Sequence, residues 1–546
     1  MRLHPIAIAL ILATAASCSW EDDRPVAWER ERTVLGPIPL KTQVAYVDSA
    51  LDRVTLVDLE RDDATISHRN IGRRAIHAVP STDRHVLFVI TRGEEAIKRG
   101  QIDEAPQFWV VDTQYASVAP VAYAIGSPFD RIAVAPDNST AIAYFSAAGP
   151  DAAGFFRNPN ELAVIDLTRP PGPDNPTLKT IRSFGSVPEG IVLSPPMVIR
   201  GAPGDMTDSA ARTFAFILSS NNLTVLDATH PTRREISIRL DLGGQPVIPR
   251  EVVFAPNTAS AYVRSDHARD VLQVILEAST PAQGSETATA NDYRPQLAEL
   301  GAGGGPTDIA VYDDINNRRY ILAATPNTSE VVIIDADTAQ FRAVPLADPI
   351  DRILLFPAGG RDGSTPRTAP QKALFASIGA KLPRVHVLDL EHINDPLTQA
   401  SIRKITLDRA VRDVVPVPGR DLAMLVHDDA RTVLGLLDMS TESTSPLLGV
   451  GKLDSYDFSP NGSYLIGATS NVSRVGFIAL DNLHPTDFRL DDPPARVLSS
   501  ANSKIFVDHG DPLGHATIIP SPTASRAEAL VLEGFLTANL LDEGPR

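Results

Sequence analysis

The sequence predicts an all-β fold, a β-propeller of about eight to ten four-stranded antiparallel repeat units, with a single large ring as the favoured arrangement. Three observations lead there. A short apolar strand that ends at an acidic turn recurs ten times. Most copies follow two further strand-like runs, the earlier of which often ends in proline. Proline (45) and glycine (34) are plentiful, and no long stretch has the 3.6-residue period of an amphipathic helix.

The recurring strand is the clearest element. It reads "VTLVDL" at 54–59, "FWVVDT" at 108–113, "LAVIDL" at 162–167, "LTVLDA" at 223–228 and "LQVILE" at 272–277. It continues as "VVIIDA" at 331–336, "VHVLDL" at 385–390, "LGLLDM" at 434–439, "GFIALD" at 476–481 and "ATIIPS" at 516–521. Asp58, Asp112 and Asp166 are 54 residues apart, and later spacings fall to 43. β-Branched residues dominate, and apolar positions are nearly continuous, as a strand covered on both faces requires. The terminal aspartate recurs too regularly for catalysis. Its expected task is to bond nearby backbone amides and fix the turn.

The partner strands follow in order. An early strand appears as "DRIAVAP" at 130–136, "EGIVLSP" at 189–195, "REVVFAP" at 250–256, "DRILLFP" at 351–357, "RDVVPVP" at 412–418 and "DSYDFSP" at 454–460. Turns such as "PDNST", "PNTAS" and "PNGSY" then supply Asn, Asp or Gly for a tight reversal. A second strand, such as "HVLFVIT" at 85–91 or "FAFILSS" at 214–220, leads into the recurring one, and a variable fourth strand such as "REISIRL" at 234–240 closes the unit. One four-stranded blade cannot cover both its faces, so blades stack on each other and ring closure removes the open ends. The propeller is placed at 44–542. Its first unit, beginning near Val44, lacks a clear innermost strand, which another part of the chain is expected to supply. A smaller ring with accessory strands and two rings side by side remain open as alternatives.

The stretches "APDNSTAIAYFS … ELAVIDLT" and "SPNGSYLIGATS" resemble the YVTN-repeat propellers of bacterial exported proteins. The resemblance spans roughly the whole repeat region. It is specific for the fold and implies little about function.

The N-terminus gives an address. Arg2 precedes an eleven-residue apolar run, Ile6 to Ala16, too short to span a bilayer. The chain's single cysteine, Cys18, follows in "ATAASCS". This resembles a bacterial lipoprotein signal peptide, although Ala15 stands where that motif usually has leucine. The resemblance implies that residues 1–17 are removed and that Cys18 is lipidated, with palmitate among the acyl chains. Residues 18–43 are then a charged tether, and Ser19 implies sorting to the outer membrane rather than the inner one. The protein is thus expected in the cell envelope, held to a membrane by its N-terminal lipid. The alternative, a plain secretory signal, leaves a free thiol in an oxidising compartment.

Composition and motifs narrow the function. Hydrophobic residues make up 43 %, enough for a sizeable core, while the net charge of −17 disfavours nucleic acid as a partner. A single cysteine excludes zinc ribbons, CxxCH haem attachment and disulfides within the chain. "GAGGGP" at 301–306 follows no strand-to-helix turn, so it does not cradle phosphate. Trp109 alone lies in the repeats, against the stacked tryptophans of quinone-dependent propellers. No cofactor is expected. Three units place acids and histidines in the hairpin between their second and third strands: Asp266 with His267, His427 with Asp428, and Asp508 with His509, Asp511 and His515. These side chains are the donors of zinc, iron or manganese sites, but polar turns of a charged surface have the same composition. The expected function is a binding or scaffold module for protein or glycan. The alternative is a lactonase-like hydrolase or lyase with an Asp/His site at the channel mouth.

Overall fold

The computed structural model describes residues 30–94, 103–115, 118–147, 158–182, 187–200, 208–240, 246–256, 258–279, 291–359, 369–395, 401–427, 434–448 and 453–538. They form ten four-stranded sheets, each built from four strands consecutive in the chain and paired antiparallel. These are the blades of one β-propeller ring. Blades 1 to 5 occupy residues 34–70, 75–124, 131–180, 188–239 and 248–300. Blades 6 to 10 occupy 308–345, 352–406, 411–447, 455–489 and 496–533. All ten copies of the recurring apolar run fall on the third strand of a blade, from Arg53–Asp58 in blade 1 to His515–Ile519 in blade 10.

Alternation along each strand explains how the ring is glued. In blade 4 the second strand, Phe214–Ser219, turns Phe214, Phe216 and Leu218 toward blade 5 and Ala215 and Ile217 toward blade 3. A period-2 pattern with both phases apolar therefore serves two neighbours at once. Ten apolar clusters result, one for each seam between adjacent blades, the seam between blades 10 and 1 included. Each buried Leu, Ile, Val or Phe in them contributes roughly 1.5–3 kcal/mol.

The aspartate that ends the third strand does its work locally. Asp112 accepts the amides of Gln114 (2.8 Å) and Tyr115 (3.2 Å), Asp335 those of Asp337 and Thr338 (both 3.0 Å), and Asp438 those of Ser440 (2.8 Å) and Thr441 (3.2 Å). Each thereby satisfies turn amides that have no ladder partner.

The start of the ring differs from the sequence reading. Val34–Pro39, inside the 18–43 segment assigned to a tether, is the innermost strand of blade 1 and pairs with Gln43–Asp48. Its signal is masked by Gly36, Pro37 and Pro39, which suit an edge strand with one ladder partner and a bulge. The register shifts between Leu35 and Ile38. Gly36 takes φ +140°, and a Cβ there would meet the Ala45 carbonyl at 2.9 Å. Arg30 and Arg32, also in that segment, pair with Asp52 (2.7 Å) and Asp48 (2.6 Å) of the same blade. Among the described residues, no strand passes from one chain end to the other to complete a blade. The signal segment 1–17 and Cys18 lie outside the described residues.

Candidate functional site

The first strands of successive blades approach one another, as Val34–Pro39 and Ala75–Pro80 do, and Ser455–Phe458 and Arg496–Ser499. They form the wall of the central channel. The second-to-third hairpins stand at one end of that wall.

The predicted Asp/His residues occupy three of these hairpins, on blades 5, 8 and 10. Each is held within its own surroundings. Asp266 accepts Arg250 Nε (2.6 Å) and Arg264 (3.0 Å), and Arg250 continues to Glu189 of blade 4 (2.6 Å). Burial acts to raise the Asp266 carboxyl, but the two guanidinium groups hold it below the usual carboxylate range. His267 is an exposed turn residue at φ +65°. His427 sets Nδ1 3.1 Å from the Ala410 carbonyl. Asp428 lies outside the described residues.

Blade 10 gathers the other four. Asp508 is buried and accepts the Tyr46 hydroxyl of blade 1 at 3.0 Å. Its burial raises the carboxyl above the ordinary range, against the pull of the Tyr46 bond. His509 stacks on His515, with ring centroids 4.2 Å apart, and contacts Thr517 Oγ1 (2.9 Å) and the Pro493 carbonyl (3.1 Å). Both ring nitrogens are thus engaged, and burial together with the neighbouring His515 lowers its pKa. His515 faces Asp492 at 3.5 Å. Asp511 caps its own turn by accepting the Leu513 amide at 2.7 Å. Among the described residues, no three His, Cys, Asp or Glu side chains converge to hold a metal ion.

A different device recurs where the first strands of blades 3, 7 and 9 begin. Asp130 accepts the Ser146 amide (2.9 Å), Asp351 the Ile378 amide (2.7 Å), and Asp454 the amide and hydroxyl of Ser470 (2.9 and 2.6 Å). The carboxylate ties the start of the inner strand to the end of the second strand and so fixes the channel rim. The acid at the head of "DRIAVAP", "DRILLFP" and "DSYDFSP" is its sequence signal. Further along the wall, burial raises the carboxyls of Glu251 and Asp308, and Asp308 adds to the rise at Glu251. Glu251 accepts Arg264 at 3.2 Å, and Asp308 accepts the Ile353 amide at 2.7 Å.

The wall also contains a cavity of about 420 Å³ where blades 10, 1 and 2 meet. Val34 to Pro39, Ala78, His77 and Arg496 line it. Arg496 stands opposite Asp508 in the register of blade 10, which brings the cavity to the hairpin end of the channel. Sequence reasoning missed this site because Arg496 and Pro37 are 459 residues apart. Neither "AIHAVP" at 75–80 nor "ARVLSS" at 495–500 carries a local motif.

No protein-family model matches the chain, and no curated protein matches its sequence. Among solved structures the chain is similar to dihydro-heme d1 dehydrogenase NirN in complex with DHE. The similarity has 12 % identity over 81 % of this chain and 84 % of that one, with a TM-score of 0.39.

Proposed function

We propose that the protein is an exported lipoprotein whose ten-bladed ring serves as a binding or scaffold module for protein or glycan, held to the outer membrane through Cys18. The observation that carries the reading is the position of the single cysteine, directly after an apolar run of signal-peptide length and before the ring. The repeat grammar shared with exported YVTN propellers supports the same address. On the side of binding, ten four-stranded blades give the ring a broad, regularly repeated frame. The Asp/His hairpins, read from sequence as a catalytic alternative, sit on three separate blades with their groups tied into turns and seams. That favours binding over hydrolysis.

Metabolic labelling with palmitate tests the anchor. The mature protein takes up label and partitions with membranes, and Cys18→Ala loses both. An unlabelled protein, or a Cys18→Ala variant that partitions like the parent, contradicts the anchor. Pull-down of the intact protein from membranes tests the scaffold: a partner recovered in fixed ratio supports it, and recovery of the ring alone under mild extraction opposes it.

A further inference from the structure

We propose that the channel-wall cavity between blades 10, 1 and 2 binds a small monocarboxylate with an apolar body. This does not depend on the lipid anchor or on any macromolecular partner.

The cavity is lined by an exposed cation, Arg496, a half-buried imidazole, His77, and several apolar residues. Arg496 donates NH1 to the Pro37 carbonyl at 3.1 Å. Among the described residues that is its one hydrogen bond, and no carboxylate lies within ion-pair distance of it. The rest of its guanidinium fork is free for a planar, two-oxygen acceptor, the shape of a carboxylate. The bulge in Val34–Pro39 makes this placement possible. It takes Gly36 and Pro37 out of the paired register, so the Pro37 carbonyl is available to orient Arg496.

His77 faces the same cavity, and its ring has no hydrogen-bond partner among the described residues. Burial, reinforced by the nearby Arg131 and opposed by Asp130, lowers its pKa, so the ring is neutral at pH 7. A neutral imidazole offers one N–H to a carboxylate oxygen without the cost of desolvating a charge. The lining also includes Leu35, Ile38 and Ala78, which pack against the core between blades 1 and 2, and Pro37 and Pro39. They offer the rest of the ligand apolar contact. The volume falls in the range of roughly 300–1,000 Å³ typical of small-molecule sites.

The charges around the cavity permit an anion. Asp508 stands opposite Arg496 in the blade register, where the arginine's charge acts on it, and accepts the Tyr46 hydroxyl; Asp130 accepts the Ser146 amide. Neither forms an ion pair with Arg496.

Calorimetric titration of the full chain at pH 7 with hexanoate, and in parallel with hexanamide, tests the proposal on the unaltered protein. Hexanoate is expected to bind at least about tenfold more tightly than the amide. Arg496→Gln should remove that preference, Arg496→Lys should restore part of it, and His77→Gln should weaken hexanoate by a smaller factor. Equal binding of acid and amide, no heat of binding at millimolar hexanoate, or an Arg496→Gln variant that binds like the parent would each overturn the assignment. The acid–amide pair needs no variant, so it decides the matter even where Arg496→Gln fails to fold.

Discussion

The seam between blades 4 and 5 and the seam between blades 10 and 1 have the same kind of apolar core but different polar fastenings. In the first, the chain runs on from one blade to the next. Phe214 and Phe216 pack against Tyr293 and Phe254, and the carboxylate of Asp292 receives both Arg212 (2.7 Å to each oxygen) and Arg233 (2.5 Å). In the second, the blades come from opposite ends of the chain and no covalent link holds them together. Tyr46, Phe506 and Phe535 form the core, and side chains reach across to main-chain carbonyls. Arg53 donates to Leu536 (2.9 Å) and Ala538 (3.0 Å), Arg32 to Pro512 (2.6 Å), Asn502 to Leu59 (2.7 Å) and Arg496 to Pro37 (3.1 Å). The grip on main-chain carbonyls is not confined to the closing seam, since Arg342 reaches Ile393 and Asp395 between blades 6 and 7 and Lys179 reaches Pro231 and Arg233 between blades 3 and 4. At the closing seam it holds the two chain ends themselves. The fastening of the closing seam also builds the cavity, since Arg496 and Pro37 belong to both.

The largest expected effect falls on either core alike. Phe216→Ala and Phe506→Ala should each cost about 3–5 kcal/mol in chemical denaturation, because both leave a cavity in a seam. A closing-seam variant of near-neutral effect would mean that blades 10 and 1 do not pack.

Next comes the latch. Arg53→Met should cost about 2–3 kcal/mol by leaving two carbonyls without their charged donor. Hydrogen exchange should show the loss concentrated in blades 1 and 10 and blade 5 protected as before. Uniform loss around the ring would contradict a local latch.

A smaller effect, with a pH signature, is expected at Tyr46. Tyr46→Phe removes the hydroxyl that Asp508 accepts and should cost about 1–2 kcal/mol at pH 7. Asp508 is raised above its unfolded value, so its ionisation weakens the fold above that range, and the penalty is relieved as pH falls through the folded pKa. The variant should therefore lose less at pH 5 than at pH 7. An equal loss at both would place the buried charge elsewhere.

The subtlest test concerns Asp292, which the hydrogen bond from Arg212 and the neighbouring Arg233 hold down at about 2. A depressed carboxyl contributes stability above its unfolded pKa that disappears as pH drops from near 4 toward 2. Asp292→Asn should flatten that limb of the stability profile and leave the profile above pH 5 parallel to the parent's.

Sequence alone made the third strands legible, because runs such as "VVIIDA" combine β-branched residues with an acid whose turn role is local. It also showed the inner strands with a proline end. It missed Val34–Pro39, where glycine and two prolines erase the β signal of a strand that needs only one partner. The hairpin histidines were found as residues but not as surroundings. Nothing local tells that His509 is spent on Thr517 and Pro493 while His77, in an ordinary apolar run, faces a cavity. Contacts such as Arg496 to Pro37 are set by ring closure, and no spacing in one chain segment encodes them.

Closure itself is open to a single chemical test. Lys504 lies 3.4 Å from Asp62 across the closing seam, and Lys372 lies 2.7 Å from Glu442 between blades 7 and 8. A zero-length carbodiimide joins amine to carboxylate only at contact, so peptide mapping of the monomer after treatment compares the two seams in one sample. A closed ten-bladed ring gives both cross-links, 372 to 442 and 504 to 62. An open arc or two separate rings gives the first without the second.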